Sequence, residues 1–148
     1  MAVIRGCNLP DELYYYPEKH IWVRPLAEGK LVRVGMTTVA GKLAGGKLNA
    51  VTVRAKNIGA EVQRGKSLAT VESSKYVGPV PAPVTGVVKR ANDKLASDPN
   101  LAVSDPYGEG WIAEMEVTAW ETEKTDLLTG PEGLEKYAAR LAADNISC

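Results

Sequence analysis

Apolar and polar positions alternate along most of this chain in short runs, and glycine, proline and asparagine separate the runs. Alternation over four to eight residues marks a strand with one buried face. The first such run is His20-Ile21-Trp22-Val23-Arg24. Leu31-Val32-Arg33-Val34-Gly35-Met36 follows a Glu28-Gly29 turn signal. Further runs are Val51-Thr52-Val53-Arg54, Ser67 to Glu72, Val84 to Arg90, and Gly110 to Val117. Gly86 lies inside the fifth of these, and a lone glycine in a strand signals a bulge or a close backbone approach. Thr37 or Thr38 is placed to cap a short helix using Val39, Ala40 and Leu43. Gly41, Gly45 and Gly46 keep that helix short, at about 1 kcal/mol lost per interior glycine relative to alanine. Asp98-Pro99-Asn100 reads as a turn.

The period changes near the end. Leu134, Tyr137, Ala138 and Leu141 fall at i, i+3, i+4 and i+7, an amphipathic helix stripe, with Pro131 suited to its first turn. Many short strands with peripheral helices predict a mainly β, α+β fold. Residues 1–13 show no clear pattern and read as an irregular N-terminal lead-in. That leaves 14–148, C-terminal helix included, as the domain.

Composition narrows the classes. The 148 residues fit one domain. Phenylalanine is absent, so the core is expected to be aliphatic and β-branched. Lys+Arg and Asp+Glu balance at 18 each, which argues against nucleic acid or an anionic membrane as partner. No apolar run is long enough for a transmembrane helix, and Asp11 and Glu12 with no apolar stretch argue against a secretory signal. A cytoplasmic monomer is the expectation. Cys7 and Cys148 lie near opposite ends and read as cytosolic thiols on mobile tails. With one histidine, His20, no metal-ligand spacing exists.

The chemistry concentrates at one lysine. Val71-Glu72-Ser73-Ser74-Lys75 precedes Ala82-Pro83-Val84-Thr85-Gly86, with Gly86 eleven residues after the lysine. This reads as Lys75 on an exposed turn with a Pro/Gly-marked return strand, the arrangement that offers a lysine to a modifying enzyme. The surrounding blocks resemble the glycine-cleavage H-protein family of lipoyl carriers over roughly residues 14–141. They are Tyr16-Pro17-Glu18-Lys19-His20-Ile21-Trp22-Val23, Val34-Gly35-Met36-Thr37, the lysine block and its return strand, Asn92-Asp93-Lys94-Leu95, and Asp105-Pro106-Tyr107-Gly108-Glu109-Gly110-Trp111 with Tyr137. The resemblance implies a lipoyl-domain-like barrel-sandwich hybrid with peripheral helices. It implies lipoate on Lys75, presented by Glu72, Ser73, Ser74 and Tyr76 to a lipoate-attaching enzyme. His20, Ile21, Trp22, Val39 and Pro79 are then candidates for lining the arm's resting cleft. Biotinyl domains resemble Ala-Met-Lys-Met at their lysine; Ser74 and Tyr76 favour lipoate. An acylated lysine loses its charge, and the group chemistry passes to the cofactor.

Three positions depart from the family pattern. Ile21 stands where the family resembles His-Glu-Trp, Pro79 where an acid commonly follows the lysine by four residues, and Val39 in a stretch that resembles Thr-Asp-(His or Tyr). A cationic aminomethyl cargo would lack carboxylates there. The chain therefore looks more like the H-protein relatives of the heterodisulfide-reductase-like sulfur-oxidation system, where the arm carries sulfur or reducing equivalents. Three alternatives stay open: a glycine-cleavage carrier of an aminomethyl group, a non-lipoylated homologue that regulates a partner, and an enzyme using Cys7 or Cys148. No catalytic triad, phosphate loop or carboxylate pair emerges, so the expectation is a carrier and not an enzyme.

Overall fold

A computed structural model describes residues 2–27 and 29–148; Glu28, half of the expected turn signal, lies outside the described residues. Twelve strands are described. They are β1 Ala2–Ile4, β2 Cys7–Leu9, β3 Tyr14–Tyr16, β4 Ile21–Ala27, β5 Leu31–Met36, β6 Ala50–Thr52, β7 Glu61–Val62, β8 Ser67–Glu72, β9 Val77–Pro81, β10 Gly86–Ala91, β11 Ala113–Val117 and β12 Leu128–Thr129. The α-helices are α1 Thr38–Leu43, α2 Lys94–Ser97, α3 Leu101–Ser104, α4 Trp120–Glu123 and α5 Gly130–Ala143.

An antiparallel seven-stranded sheet runs β12-β3-β4-β5-β11-β10-β7, and a three-stranded sheet runs β6-β8-β9. The mainly β expectation with a C-terminal helix agrees with this architecture, but the sheets are not closed into a barrel. The hydrophobic effect organises the layers through the two-residue period of the strands. Ile21 and Val23 of β4 and Val32 and Val34 of β5 turn into one aliphatic core. Leu68 and Val71 of β8 and Val80 of β9 enter the same core from the smaller sheet. Trp22, one step from Ile21, faces the other way into a second core with Tyr15, Leu134, Tyr137 and Leu141. The last three of these are the stripe of α5, so the tail helix covers the outer face of the large sheet.

The segment 2–9 is not irregular. β1 and β2 form an antiparallel hairpin, with Ala2 opposite Leu9 and Ile4 opposite Cys7. Its turn is Arg5-Gly6, both at positive φ, +51° and +82°, as a two-residue hairpin turn of this hand requires. Cys7, Leu9 and Leu13 are completely buried. The cysteines are not free thiols on mobile tails either: Cys7 and Cys148 form a disulfide across a sequence separation of 141. The Cys148 amide donates to Arg5 O at 2.9 Å, and Arg5 Nε donates to Ile146 O at 2.6 Å, so both chain ends are clasped together.

The return strand from the lysine also differs from expectation. β8 pairs with Val77–Pro81, Glu72 opposite Val77 and Thr70 opposite Pro79. Pro79 and Pro81 are tolerated because β9 is the edge of its sheet. Gly86 belongs to the larger sheet, opposite Val117 and Val62. Its expected close approach is present: a Cβ there would lie 2.5 Å from Glu116 O.

Candidate functional site

Lys75 stands at the apex of the β8–β9 hairpin, exposed together with Glu72, Ser74 and Tyr76. Ser73 is different: it is buried and builds the turn. Its amide donates to Tyr76 O at 2.7 Å, and its Oγ accepts from the amides of Lys75 at 3.2 Å and Tyr76 at 3.0 Å. A serine hydroxyl commonly organises a turn this way. The turn backbone is therefore held in place while the lysine side chain stands exposed. The stem passes Gly45, which adopts φ +98° just after α1; a Cβ on Gly45 would come 3.3 Å from Lys75 Cδ. Thr37 caps α1, accepting from Ala40 N, as the sequence predicts. The glycines beyond it stop the helix and leave the lysine room.

Beside the hairpin lies a cavity of about 240 Å3. Ile21, Leu43, Pro79 and Val80 are among its apolar walls, and Tyr76 and His20 contribute polar tips. Of the five cleft candidates, His20, Ile21 and Pro79 line this cavity. Trp22 and Val39 do not. Both are fully buried in the second core, and Trp22 Nε1 donates to Pro106 O at 3.0 Å. The alternation that turns Ile21 toward the cavity turns Trp22 away. Trp111 is not among the cavity walls either: the guanidinium carbons of Arg33 and Arg90 lie 4.6 and 5.2 Å from its ring centre, and both arginines bond the buried carboxylate of Glu114. Those two cations hold the Glu114 pKa below its usual range, Arg90 acting first.

Sequence reasoning missed Glu18 and Lys19 as cavity residues, along with Met36, Leu43 and Ala44. Glu18 and Lys19 sit inside the recognised anchor block, next to His20, and their position there was the available signal. His20 is buried, with Nδ1 2.6 Å from the Tyr137 hydroxyl oxygen. Burial, then the nearby Arg140 cation, pulls its pKa down to about 4. Burial likewise raises the pKa of Tyr137. The imidazole is neutral and the phenol protonated at neutral pH.

The site is thus one lysine held at a hairpin apex beside a small apolar cavity, on a domain of the mainly β class. The comparisons place that class more narrowly. A family model described as glycine cleavage H-protein matches residues 13–140, and the chain belongs to that family. The glycine cleavage system H protein 2 of Aquifex aeolicus is 39% identical over 144 residues, 97% of this chain and 87% of that one. A probable glycine cleavage system H protein 2 of Sulfolobus acidocaldarius is 37% identical over 150 aligned positions, covering all of this chain and 97% of that one. The crystal structure of a glycine cleavage system H protein from Mycobacterium marinum superposes with a TM-score of 0.69 at 31% identity, covering 86% of this chain and 98% of that one.

Proposed function

We propose that the protein is a lipoyl carrier of the glycine-cleavage type, with lipoate joined in amide linkage to Lys75 Nζ. The observation that carries this reading is the placement of Lys75: exposed at the apex of a turn built by Ser73, its stem laid over Gly45, beside an apolar cavity. Once attached, the lipoyl group would supply a dithiolane whose S–S bond breaks either on taking up two electrons and two protons, giving a dithiol, or on attack by a carbon nucleophile at one sulfur, the other leaving as a thiol. The chain's own residues present and shelter it. Glu72, Ser74 and Tyr76 flank the lysine for the lipoate-attaching enzyme. Ile21, Leu43, Pro79 and Val80 offer a surface from which water is excluded when the arm rests. The carrier is a substrate of its partners, the enzymes of glycine cleavage. A cationic aminomethyl cargo would meet Glu18, the one acid lining the cavity among the described residues.

One observation favours a second reading. Ile21 and Pro79 put hydrocarbon on two cavity walls, while Glu18 is exposed and has Lys19 beside it. That lining suits a neutral dithiolane or a sulfur-loaded arm exchanging with a heterodisulfide-reductase-like complex. The same lipoylated preparation, offered to both enzyme systems, separates the two. Glycine-dependent methylamine loading supports the first reading. Exchange only with the sulfur system supports the second, and Ile21→Glu should then improve glycine-dependent loading by about tenfold or more, the value of a charge-assisted contact.

A further inference from the structure

Among the residues around the cavity, His20 is set apart by its backbone and by its partner. Its φ is +59°. A non-glycine residue held there costs about 1–3 kcal/mol and persists only where the surroundings enforce it. Here the Thr37 amide donates to His20 O at 3.0 Å. The imidazole stacks on the Tyr137 ring, centroids 5.7 Å apart and planes 11° from parallel. Its Nδ1 lies 2.6 Å from the Tyr137 hydroxyl oxygen. Thr37 Oγ1 accepts from Ala40 N. The buried phenol keeps its proton, and Nδ1 is the acceptor within its reach, so Tyr137 donates to Nδ1. A neutral imidazole whose Nδ1 accepts carries its proton on Nε2.

We propose that His20 is the buried hydrogen-bond donor of the cavity, giving its Nε2–H to an acceptor on the lipoyl arm. The inference rests on the carrier reading but on neither choice of cargo. The arm brings two kinds of acceptor, the amide carbonyl that joins it to Lys75 and the sulfur atoms at its end. Either one, entering walls of Ile21, Leu43 and Val80, loses water and needs a protein partner. Glu18 and Lys19 are exposed, so they can keep water instead. His20 is only 7% exposed, and an arm seated in the cavity would cover what water reaches its Nε2. The low imidazole pKa agrees with a ring that stays neutral and keeps one donor. An ammonium cargo is itself a donor and has to turn to Glu18.

The chain has one histidine, so nitrogen-15 NMR reads His20 without overlap. Three samples serve: the unmodified Lys75→Arg protein, the lipoylated protein oxidised, and the lipoylated protein reduced. The Nε2–H tautomer is expected in all three, and the Nε2 proton is expected to move downfield on lipoylation. A move in both loaded samples assigns the carbonyl as acceptor; a move in one assigns the sulfur end. The Nδ1–H tautomer in the unmodified sample overturns the proposal by itself, and so does an Nε2 signal unchanged by lipoylation. A preparation whose mass shows no lipoate in a competent host overturns the carrier reading and this inference with it. Shelter gives the second readout. Reduction of the dithiolane by a water-soluble phosphine should run about threefold to tenfold faster in His20→Ala, the worth of one hydrogen bond. His20→Asn keeps a side-chain donor and tolerates the left-handed backbone, so it should retain most of the protection. Equal rates in all three proteins would refute the donor role.

Discussion

Removing the Cys7–Cys148 bridge should destabilise the domain severely, because it joins residues 141 apart and closes nearly the whole chain into one loop. In the chain-entropy treatment a loop of that length is worth about 5 kcal/mol at 25 °C, an upper figure that denatured-state structure reduces. For a chain of this size each kcal/mol moves Tm by about 2–4 °C, so full loss corresponds to roughly 10–20 °C. Cys148→Ser is the clean variant. Cys148 is exposed, and the Cys7 thiol left behind is a small apolar group in an apolar core. Cys7→Ser should be worse by about 1–3 kcal/mol, because it buries a hydroxyl without a designed partner. The assay is calorimetry of the oxidised protein, both variants, and the wild type with reductant. Unreduced wild type should also show no alkylatable thiol after denaturation. A Tm for Cys148→Ser within 1 °C of the oxidised wild type, or two alkylated cysteines in the unreduced protein, would refute the clasp.

Three further outcomes follow from the site. Ser73→Ala removes the Oγ that accepts from the Lys75 and Tyr76 amides; it should cost about 0.5–2 kcal/mol by chemical denaturation and slow lipoate attachment relative to Glu72→Ala, whose site is exposed. Gly45→Val forces a β-branched residue to φ +98° against the Lys75 stem and should cost more than 1 kcal/mol while lowering the rate of attachment; unchanged kinetics would show that the stem does not need that path. The third concerns pH. The folded pKa of His20 lies near 4 against about 6.5 when unfolded, so the unfolded state binds the extra proton between those values. The stability gained from the neutral ring is complete above about pH 6.5 and is lost as pH falls to about 4, on the order of 3 kcal/mol in total. Denaturant titrations over that range should show a steeper pH slope for the wild type than for His20→Asn, and parallel slopes would contradict the assignment.

Much of the scaffold was legible because strand alternation and helix period report burial directly. Leu31–Met36 and Ser67–Glu72 form strands over the residues their patterns mark, and Leu134, Tyr137 and Leu141 pack as one face of α5. Pattern fails where the decisive partner is distant in sequence. Ala2 to Leu9 is too short to show a period, and what orders it is a disulfide to the last residue. The strand that returns from the lysine is Val77–Pro81 and not Val84 to Arg90; it carries two prolines, which an edge strand accepts. Within the site, the exposed turn at Lys75 is readable from local sequence, and Ile21 and Pro79 line the cavity beside it. Trp22 and Val39 pack in the second core and not on the cavity, because adjacency in a motif says nothing about which face of a strand or helix a residue occupies. The His20–Tyr137 contact spans 117 residues of sequence and has no local signature.

The central claim is that Lys75 is the acylated residue, and peptide mass mapping of protein made in a lipoylation-competent host tests it most directly. The peptide that contains Lys75 should carry one lipoyl group. Lys75→Arg should fold with the same Tm within about 0.5 kcal/mol of stability and carry none, since a guanidinium keeps the charge but gives the enzyme no amine to acylate. Lipoate on a different lysine, or an unmodified Lys75 peptide from a host that lipoylates its own carriers, would contradict the account.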